Sequence, residues 1–168
     1  MKTKEMEAMV KATSLHPLLI IVSRALSISG FGDVQYLDRR ESWQRSRYGG
    51  HELLCEATLG LVRMRVVVKV VRDSVRRRML SELAGTVLYR KADMGILVAT
   101  GKLSRRLSGF QTDYPSVRLE VIDGARLAKL LLRNGIGSRG EDGVDYAFFS
   151  ELEIQSLRII SFLTRNEP

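Results

Sequence analysis

The chain alternates between apolar runs typical of strands and longer stretches in which apolar residues recur at helical spacing. The clearest run is residues 66–71, where Lys69 interrupts consecutive valines. β-Branched residues in such a run are typical of a strand that is buried on both faces. Residues 95–100 form a second run. Between the two, a helical pattern extends from Val75 to Tyr89, and Asp73–Ser74 can cap that helix.

This order of strand, helix and strand predicts a βαβ unit with parallel strands. A third core strand is predicted at 117–122, parallel to the first two and followed by a helix. Upstream, residues 51–58 and 61–71 are close enough in the chain to form an antiparallel hairpin. The pattern therefore predicts an α/β fold with a mixed sheet.

The remaining elements divide the chain into segments. A helix is predicted from Ser14, its N-cap, to Ile28, and the residues before it are expected to be a mobile or helical lead-in. We expect four segments: a lead-in at 1–13, a core domain at 14–137, a flexible link at 138–145 and a C-terminal helix at 146–168.

Lys69 demands an explanation because a lone ammonium inside an apolar strand is costly to bury. It lies either at a strand end that meets solvent or in a functional site.

Cys55, the single cysteine, excludes an internal disulfide and fits a packed thiol in a cytoplasmic protein. The charged N-terminus lacks a signal-peptide core, and no apolar run approaches the length of a membrane span.

Charge indicates the class of partner. The chain has 168 residues, which predicts one domain, and its net charge is +8. Arginine carries most of this charge, and its planar guanidinium suits bidentate contacts to phosphate. Nucleic acid is therefore the leading partner class. The alternative is a soluble protein that is merely basic.

Several motifs together resemble a known family. They are Glu82-Leu83-Ala84-Gly85, the run from Gly95 to Gly101, and Ile122-Asp123-Gly124. With the predicted elements, they resemble the Mrr-type restriction endonuclease domain of the PD-(D/E)xK nuclease superfamily, from about Leu15 to Gly137. The resemblance implies a restriction-endonuclease-like, three-layer α/β core, with a mixed sheet flanked by helices. The final helix is a C-terminal appendage to this core.

The resemblance also implies a site. Family members carry an acid on the first hairpin strand; on the second they carry an acid or glutamine, one residue, then lysine. The acids hold Mg²⁺, and the lysine activates or positions water. Lys69 matches that lysine, and Glu52 falls near the first acid. Val67 stands at the second acid position and cannot bind metal.

Two further acids could complete the metal site. Strand alternation puts Glu56 on the same face as Glu52, although a solvent-facing role near the hairpin turn also explains it. Glu82, on the predicted crossover helix, could replace the acid that Val67 lacks. An ion pair with Arg78, four residues earlier, is the alternative account of Glu82.

Basic residues cluster around the predicted site. Loops that follow parallel strands emerge at the same sheet edge, so two of the clusters should share one rim. The aromatic side chains of Trp43 and Tyr48 lie within a third cluster and could stack on bases. A solvated surface is the alternative to phosphate contact. The predicted DNA-binding residues are Arg72, Arg76, Arg77, Arg78, Lys102, Arg105, Arg106, Arg39, Arg40, Arg45 and Arg47.

These observations favour a DNA-binding, Mg²⁺-dependent endonuclease that uses Lys69, Glu52 and Glu82, with no small-molecule cofactor and no membrane association. The first alternative is a catalytically inactive DNA-binding module that kept the fold and lost the metal site at Val67. The second is an interaction protein that forms a homodimer through the helix containing Phe148 and Phe149.

Overall fold

The computed structural model describes residues 2–37, 50–140 and 143–165. Short 3-10 turns occupy Arg105–Leu107 and Phe110–Asp113. The helices within these ranges are α1 (Lys2–Ala12), α2 (Leu15–Ile28), α3 (Arg77–Arg90), α4 (Gly124–Arg133) and α5 (Tyr146–Arg165). The strands are β1 (Phe31–Tyr36), β2 (Gly50–Leu59), β3 (Val62–Val71), β4 (Met94–Ala99) and β5 (Arg118–Ile122). No helix in these ranges is long and apolar enough to cross a membrane.

The described strands form one five-stranded mixed sheet in the order β1-β2-β3-β4-β5. β1, β2 and β3 pair antiparallel, whereas β3, β4 and β5 run parallel. The predicted hairpin and both predicted parallel pairings are therefore confirmed. Helix α3 connects β3 to β4, as the βαβ interpretation requires.

Helices cover both faces of this sheet, which gives the three layers that the resemblance implied. On one face, Val66, Val68 and Val70 pack into a core shared with α1, α2, α4 and α5. On the other face, Val67 and Val71 pack against the apolar side of α3. The valine run is fully buried because its alternate side chains serve both cores.

Helix α1 is the helical one of the two alternatives that the sequence left open, whereas strand β1 differs from expectation. The lead-in at 1–13 is helical across Lys2–Ala12, and Met6 and Val10 are fully buried in the core. Strand β1 was not predicted, because its sequence lacks a strict apolar alternation. Its register with β2 shifts between Gly32 and Gln35, and Asp33 has a positive φ of 50°. A β-bulge of this kind breaks the two-residue period on which strand prediction depends.

The start of α3 corrects a second expectation. The helix begins at Arg77, with Arg76 as N-cap, so Asp73–Ser74 do not cap it. Asp73 instead accepts a hydrogen bond from the Ser74 amide and pairs with Arg76 at 2.6 Å. Val75 lies before the helix, where its amide donates to the carbonyl of Lys102. The backbone at Val75 is therefore hydrogen-bonded to the loop after β4, and the helix starts two residues later than predicted.

The C-terminal helix packs onto the main core. Phe149 and Leu152 are buried in the core formed with α1 and α2. Glu153 accepts hydrogen bonds from the amide and hydroxyl of Ser14, at 2.7 and 2.6 Å, at the position where α2 begins. Phe149, on the helix that the sequence suggested as a dimerisation element, is therefore part of the core of its own chain. Homodimer formation itself stays a prediction, as do the segment boundaries.

Candidate active site

Lys69 lies two residues before the end of β3, on the sheet face that packs against α3. Its register partners are Glu52 on β2 and Leu97 on β4. The residue is 6% exposed, so its ammonium group is largely removed from water. The sequence left open a strand end or a site, and the structure gives Lys69 two carboxylate partners within 4 Å. Buried charges require such partners.

Glu52 provides the first of these carboxylates. Its Oε1 lies 3.8 Å from the Lys69 Nζ, and the same oxygen accepts a 3.0 Å hydrogen bond from the Thr86 hydroxyl on α3. The other oxygen of Glu52 accepts no hydrogen bond from any residue in the described ranges. One oxygen of Glu52 is therefore held in place by the Thr86 hydroxyl.

Glu82 provides the second carboxylate, from the α3 helix above the sheet. Its Oε2 lies 2.8 Å from the Lys69 Nζ, and its Oε1 lies 3.1 Å from the Arg78 Nε. Partial burial pushes the pKa of Glu82 upward, but hydrogen bonds and attraction from Lys69, then from Arg78, outweigh it and lower the pKa. Glu82 therefore forms the expected ion pair with Arg78 and also pairs with Lys69, whereas its role as a metal ligand stays a prediction.

The chemistry of this cluster suits a hard divalent cation. Mg²⁺ is often held by one or two carboxylates, with the remaining ligands supplied by water and substrate phosphate. Glu52 and Glu82 contact the same lysine nitrogen, so two carboxylates of this type are at hand. Across the described ranges, no group of three or more His, Cys, Asp or Glu side chains is placed to hold a metal ion.

Val67 and Glu56 add little to the donor set. Val67 is fully buried in the core beneath α3 and offers no ligand atom. Glu56 lies on β2 opposite Arg65 of β3. Arg65 comes two residues before Val67 and four residues before Lys69, so Glu56 is displaced along the sheet from the lysine. Glu56 forms no ion pair with any residue that the structure describes. Its role as a metal ligand stays a prediction.

Thr86 was missed by the sequence interpretation. It follows Glu82 by one helical turn, so both side chains project from the same side of α3. Glu82 contacts Lys69 and Thr86 contacts Glu52, and together they join the helix to both charged positions of the sheet. The four-residue spacing was visible in the sequence, but its meaning depended on where α3 crosses the sheet.

The loops after β3 and β4 share one rim, as predicted. The amide of Gly101 donates to the carbonyl of Asp73, and the amide of Val75 donates to that of Lys102. The two loops approach so closely that a Cβ on Gly101 would lie 2.5 Å from the Ser74 amide nitrogen. Glycine is required at this crossing because any side chain would collide with backbone.

The basic side chains on this rim differ in their partners. Arg76 pairs with Asp73, Arg77 pairs with Asp113, and Arg78 pairs with Glu82. The others that the structure describes are exposed and make no ion pair with described residues: Arg72, Lys102, Arg105 and Arg106. The predicted third cluster, with Arg39, Arg40, Arg45, Arg47, Trp43 and Tyr48, lies outside the described residues.

Cys55 is a core residue, as predicted. Its thiol is fully buried, lies 3.6 Å from the carbonyl oxygen of Val66, and has a pKa raised to about 11 by burial. A thiol with this pKa is protonated at neutral pH and is a poor nucleophile or metal ligand. Cys55 therefore belongs to the packing and not to the site.

Comparison with known proteins decides the family. The model of the restriction endonuclease family Mrr_cat matches residues 10–131, which is most of the chain. The chain belongs to the Mrr-type restriction endonuclease family. No curated protein matches the sequence significantly.

A solved structure shows the same fold. The DNA modification-dependent restriction endonuclease AspBHI matches with a TM-score of 0.57 and 12% identity, over 92% of this chain and 40% of its own. MspJI, solved in complex with a 27-mer oligonucleotide, matches with a TM-score of 0.49 and 17% identity, over 88% of this chain and 32% of its own. The Mrr-type chain therefore spans less than half the length of either neighbour.

Proposed function

We propose that this Mrr-type domain binds DNA and hydrolyses its phosphodiester bonds with the help of a divalent metal ion. One observation carries the proposal: a nearly buried lysine contacts two carboxylates, one from the sheet and one from α3. A purely structural lysine in a valine strand would be costly. The same lysine stands where the family resemblance expects one.

The three charged side chains have separate roles in this proposal. Glu52 and Glu82 would hold Mg²⁺, which would supply charge stabilisation to the phosphoryl group and activate water. Lys69 offers its ammonium to the phosphate and to the attacking water. The carboxylate neighbours hold the Lys69 side chain in place in the absence of DNA. Thr86 holds one oxygen of Glu52 and thereby directs the other toward a ligand.

The rim supplies the contacts to DNA. Arg72, Lys102, Arg105 and Arg106 are exposed on loops that are hydrogen-bonded to one another at the end of the sheet near Lys69. Arginine and lysine at such a rim contact phosphates regardless of base sequence. Binding through this surface would bring the backbone of DNA to the two glutamates.

A second function is favoured by one observation. Val67 is fully buried and apolar at the position where the resemblance expects a second acid. If Glu82 does not replace that acid, the domain is a DNA-binding module that kept Lys69 as part of an inherited ion-pair cluster. The two functions share the DNA-binding rim and differ only in catalysis.

Plasmid nicking separates these functions. Wild-type protein should convert supercoiled plasmid to the open circle in Mg²⁺ or Mn²⁺ and should be inactive in EDTA. Lys69→Ala and Glu52→Gln should each abolish nicking while leaving DNA affinity largely intact, because they act on water and metal and not on the DNA backbone. Absence of nicking by the wild type on plain, methylated and branched DNA would favour the inactive binding module.

A further inference from the structure

Glu82 stands between two cations that belong to different parts of the molecule. Its Oε2 faces Lys69 inside the site, and its Oε1 faces Arg78 on the rim. Lys69 is nearly buried and held by two acids, whereas the Arg78 side chain is 63% exposed. One oxygen of the proposed metal ligand is therefore occupied by a side chain that is also a candidate for phosphate contact.

We propose that Arg78 couples DNA binding to metal binding by moving from Glu82 to a DNA phosphate. This inference rests on the proposed function and concerns the regulation of the same site. In the free protein, Arg78 neutralises Glu82 and occupies its Oε1. When DNA lies on the rim, Arg78 pairs with phosphate, and the released oxygen becomes available to the metal ion.

The strengths of the contacts favour this exchange. An exposed ion pair between side chains four residues apart contributes little to stability, typically a fraction of a kcal/mol. Arginine pairs with phosphate through bidentate, charge-assisted hydrogen bonds, which are stronger. The pair with Glu82 can therefore open at small cost when phosphate is offered, while Lys69 keeps its own contact.

The exchange has a thermodynamic consequence. If DNA raises the affinity for metal by some factor, metal must raise the affinity for DNA by the same factor, because coupling between two binding sites is reciprocal. The free domain would then bind metal weakly and assemble its site only on DNA. Arg78 would act as a positioning residue, since it changes the availability of Glu82 without contacting the reacting atoms.

The first test is made without DNA. Binding of Mn²⁺ alone, followed by the electron paramagnetic resonance of the free ion, is compared between wild type and Arg78→Ala. We expect Arg78→Ala to bind Mn²⁺ about two- to fivefold more tightly, because Glu82 loses a competing cation. The matched control is Arg76→Ala, which removes the same charge from the same rim. Arg76 is 57% exposed and pairs with Asp73 instead of Glu82.

Arg78→Lys is a second variant that keeps a cation four residues before Glu82. It should bind Mn²⁺ as the wild type does, which separates loss of the ion pair from loss of fold. The titrations are then repeated with a short DNA duplex at a concentration that saturates each variant. DNA should raise Mn²⁺ affinity in the wild type on the order of fivefold, and less in Arg78→Ala.

The possible results distinguish the two levels of the proposal. If Arg78→Ala and Arg76→Ala change Mn²⁺ affinity equally, only the general charge matters and the coupling role of Arg78 is wrong, although the metal site remains. If the wild type binds no Mn²⁺ with or without DNA, the proposed function fails and the coupling fails with it.

Discussion

Replacing Lys69 by methionine tests whether the charged cluster is held together by the lysine. Its ammonium lies 2.8 Å from Glu82, where the attraction is about 6 kcal/mol at an effective dielectric constant of about 20. Most of that is offset because Lys69 is desolvated, and because the Glu82 side chain is 35% exposed and screened by water. Removing one partner of a buried pair costs about 3–5 kcal/mol. With this screening, we expect Lys69→Met to lower the free energy of unfolding by about 2–3 kcal/mol at pH 7.

This loss should depend on pH in a defined direction. The pKa of Glu82 is lowered in the folded state from an ordinary value of 4.5. A carboxylate of this kind contributes stability above pH 4.5, and the contribution is lost as pH falls through the lower, folded pKa. Without Lys69, the largest of the influences that lower the pKa of Glu82 is lost. The difference between wild type and Lys69→Met should therefore begin to shrink below pH 4.5 and should be smaller at pH 3.5 than at pH 7.

Urea unfolding followed by circular dichroism measures this difference at both pH values. The matched control is Lys102→Met, since Lys102 is exposed and forms no ion pair with a described residue. It should change stability by less than about 0.5 kcal/mol at either pH. A difference for Lys69→Met that is the same at pH 7 and pH 3.5 would refute the ion-pair reasoning.

Three further predictions concern the rim, the core beneath the site and the crossing of the loops. Replacing Arg72, Arg105 and Arg106 by glutamine should lower the slope of log affinity against log salt by about 0.9 for each phosphate contact that is removed, and an unchanged slope in an anisotropy titration would place DNA elsewhere. Val67→Glu should lower the melting temperature, because position 67 is fully buried, and should raise nicking above wild type by adding an acid beside Lys69. Equal nicking by that variant and the wild type would show that Val67 does not limit the site. Gly101→Ala should destabilise the fold by about 1–3 kcal/mol in urea unfolding, whereas Gly85→Ala, which meets no atom within 4 Å, should be neutral or stabilising.

The sheet could be predicted from the sequence because its signals are local and strong. The valine run of β3 and the run of β4 flank a helix of ordinary length, and only a right-handed parallel crossover joins such elements readily. The same reasoning placed the loops after these strands at one rim, which their hydrogen bonds confirm. Strand β1 could not be predicted, because its bulge removes the apolar–polar alternation that identifies a strand.

The candidate site was predictable only in part. Lys69 was conspicuous because its charge contradicts its apolar neighbours, and the resemblance then pointed to Glu52. The sequence could suggest the contact of Glu82 with Lys69 but could not establish it, since the contact depends on the rotation of α3 about its axis. Thr86 was missed for the same reason, because its hydroxyl gains meaning only when the helix lies over β2.

The nicking rate of Glu82→Gln tests most directly whether a helix carboxylate replaces the acid that Val67 lacks. Glutamine keeps the size of the side chain and can still accept a hydrogen bond from Lys69, but it removes the charge that a divalent cation requires. The variant and the wild type are compared on supercoiled plasmid across a series of Mg²⁺ and Mn²⁺ concentrations, with DNA affinity measured in parallel. We predict that Glu82→Gln loses metal-dependent nicking while it retains DNA binding. Nicking at the wild-type rate, with only a small change in stability, would contradict the proposed site and leave Glu82 as an ion-pair partner of Lys69 and Arg78 without a role in metal binding.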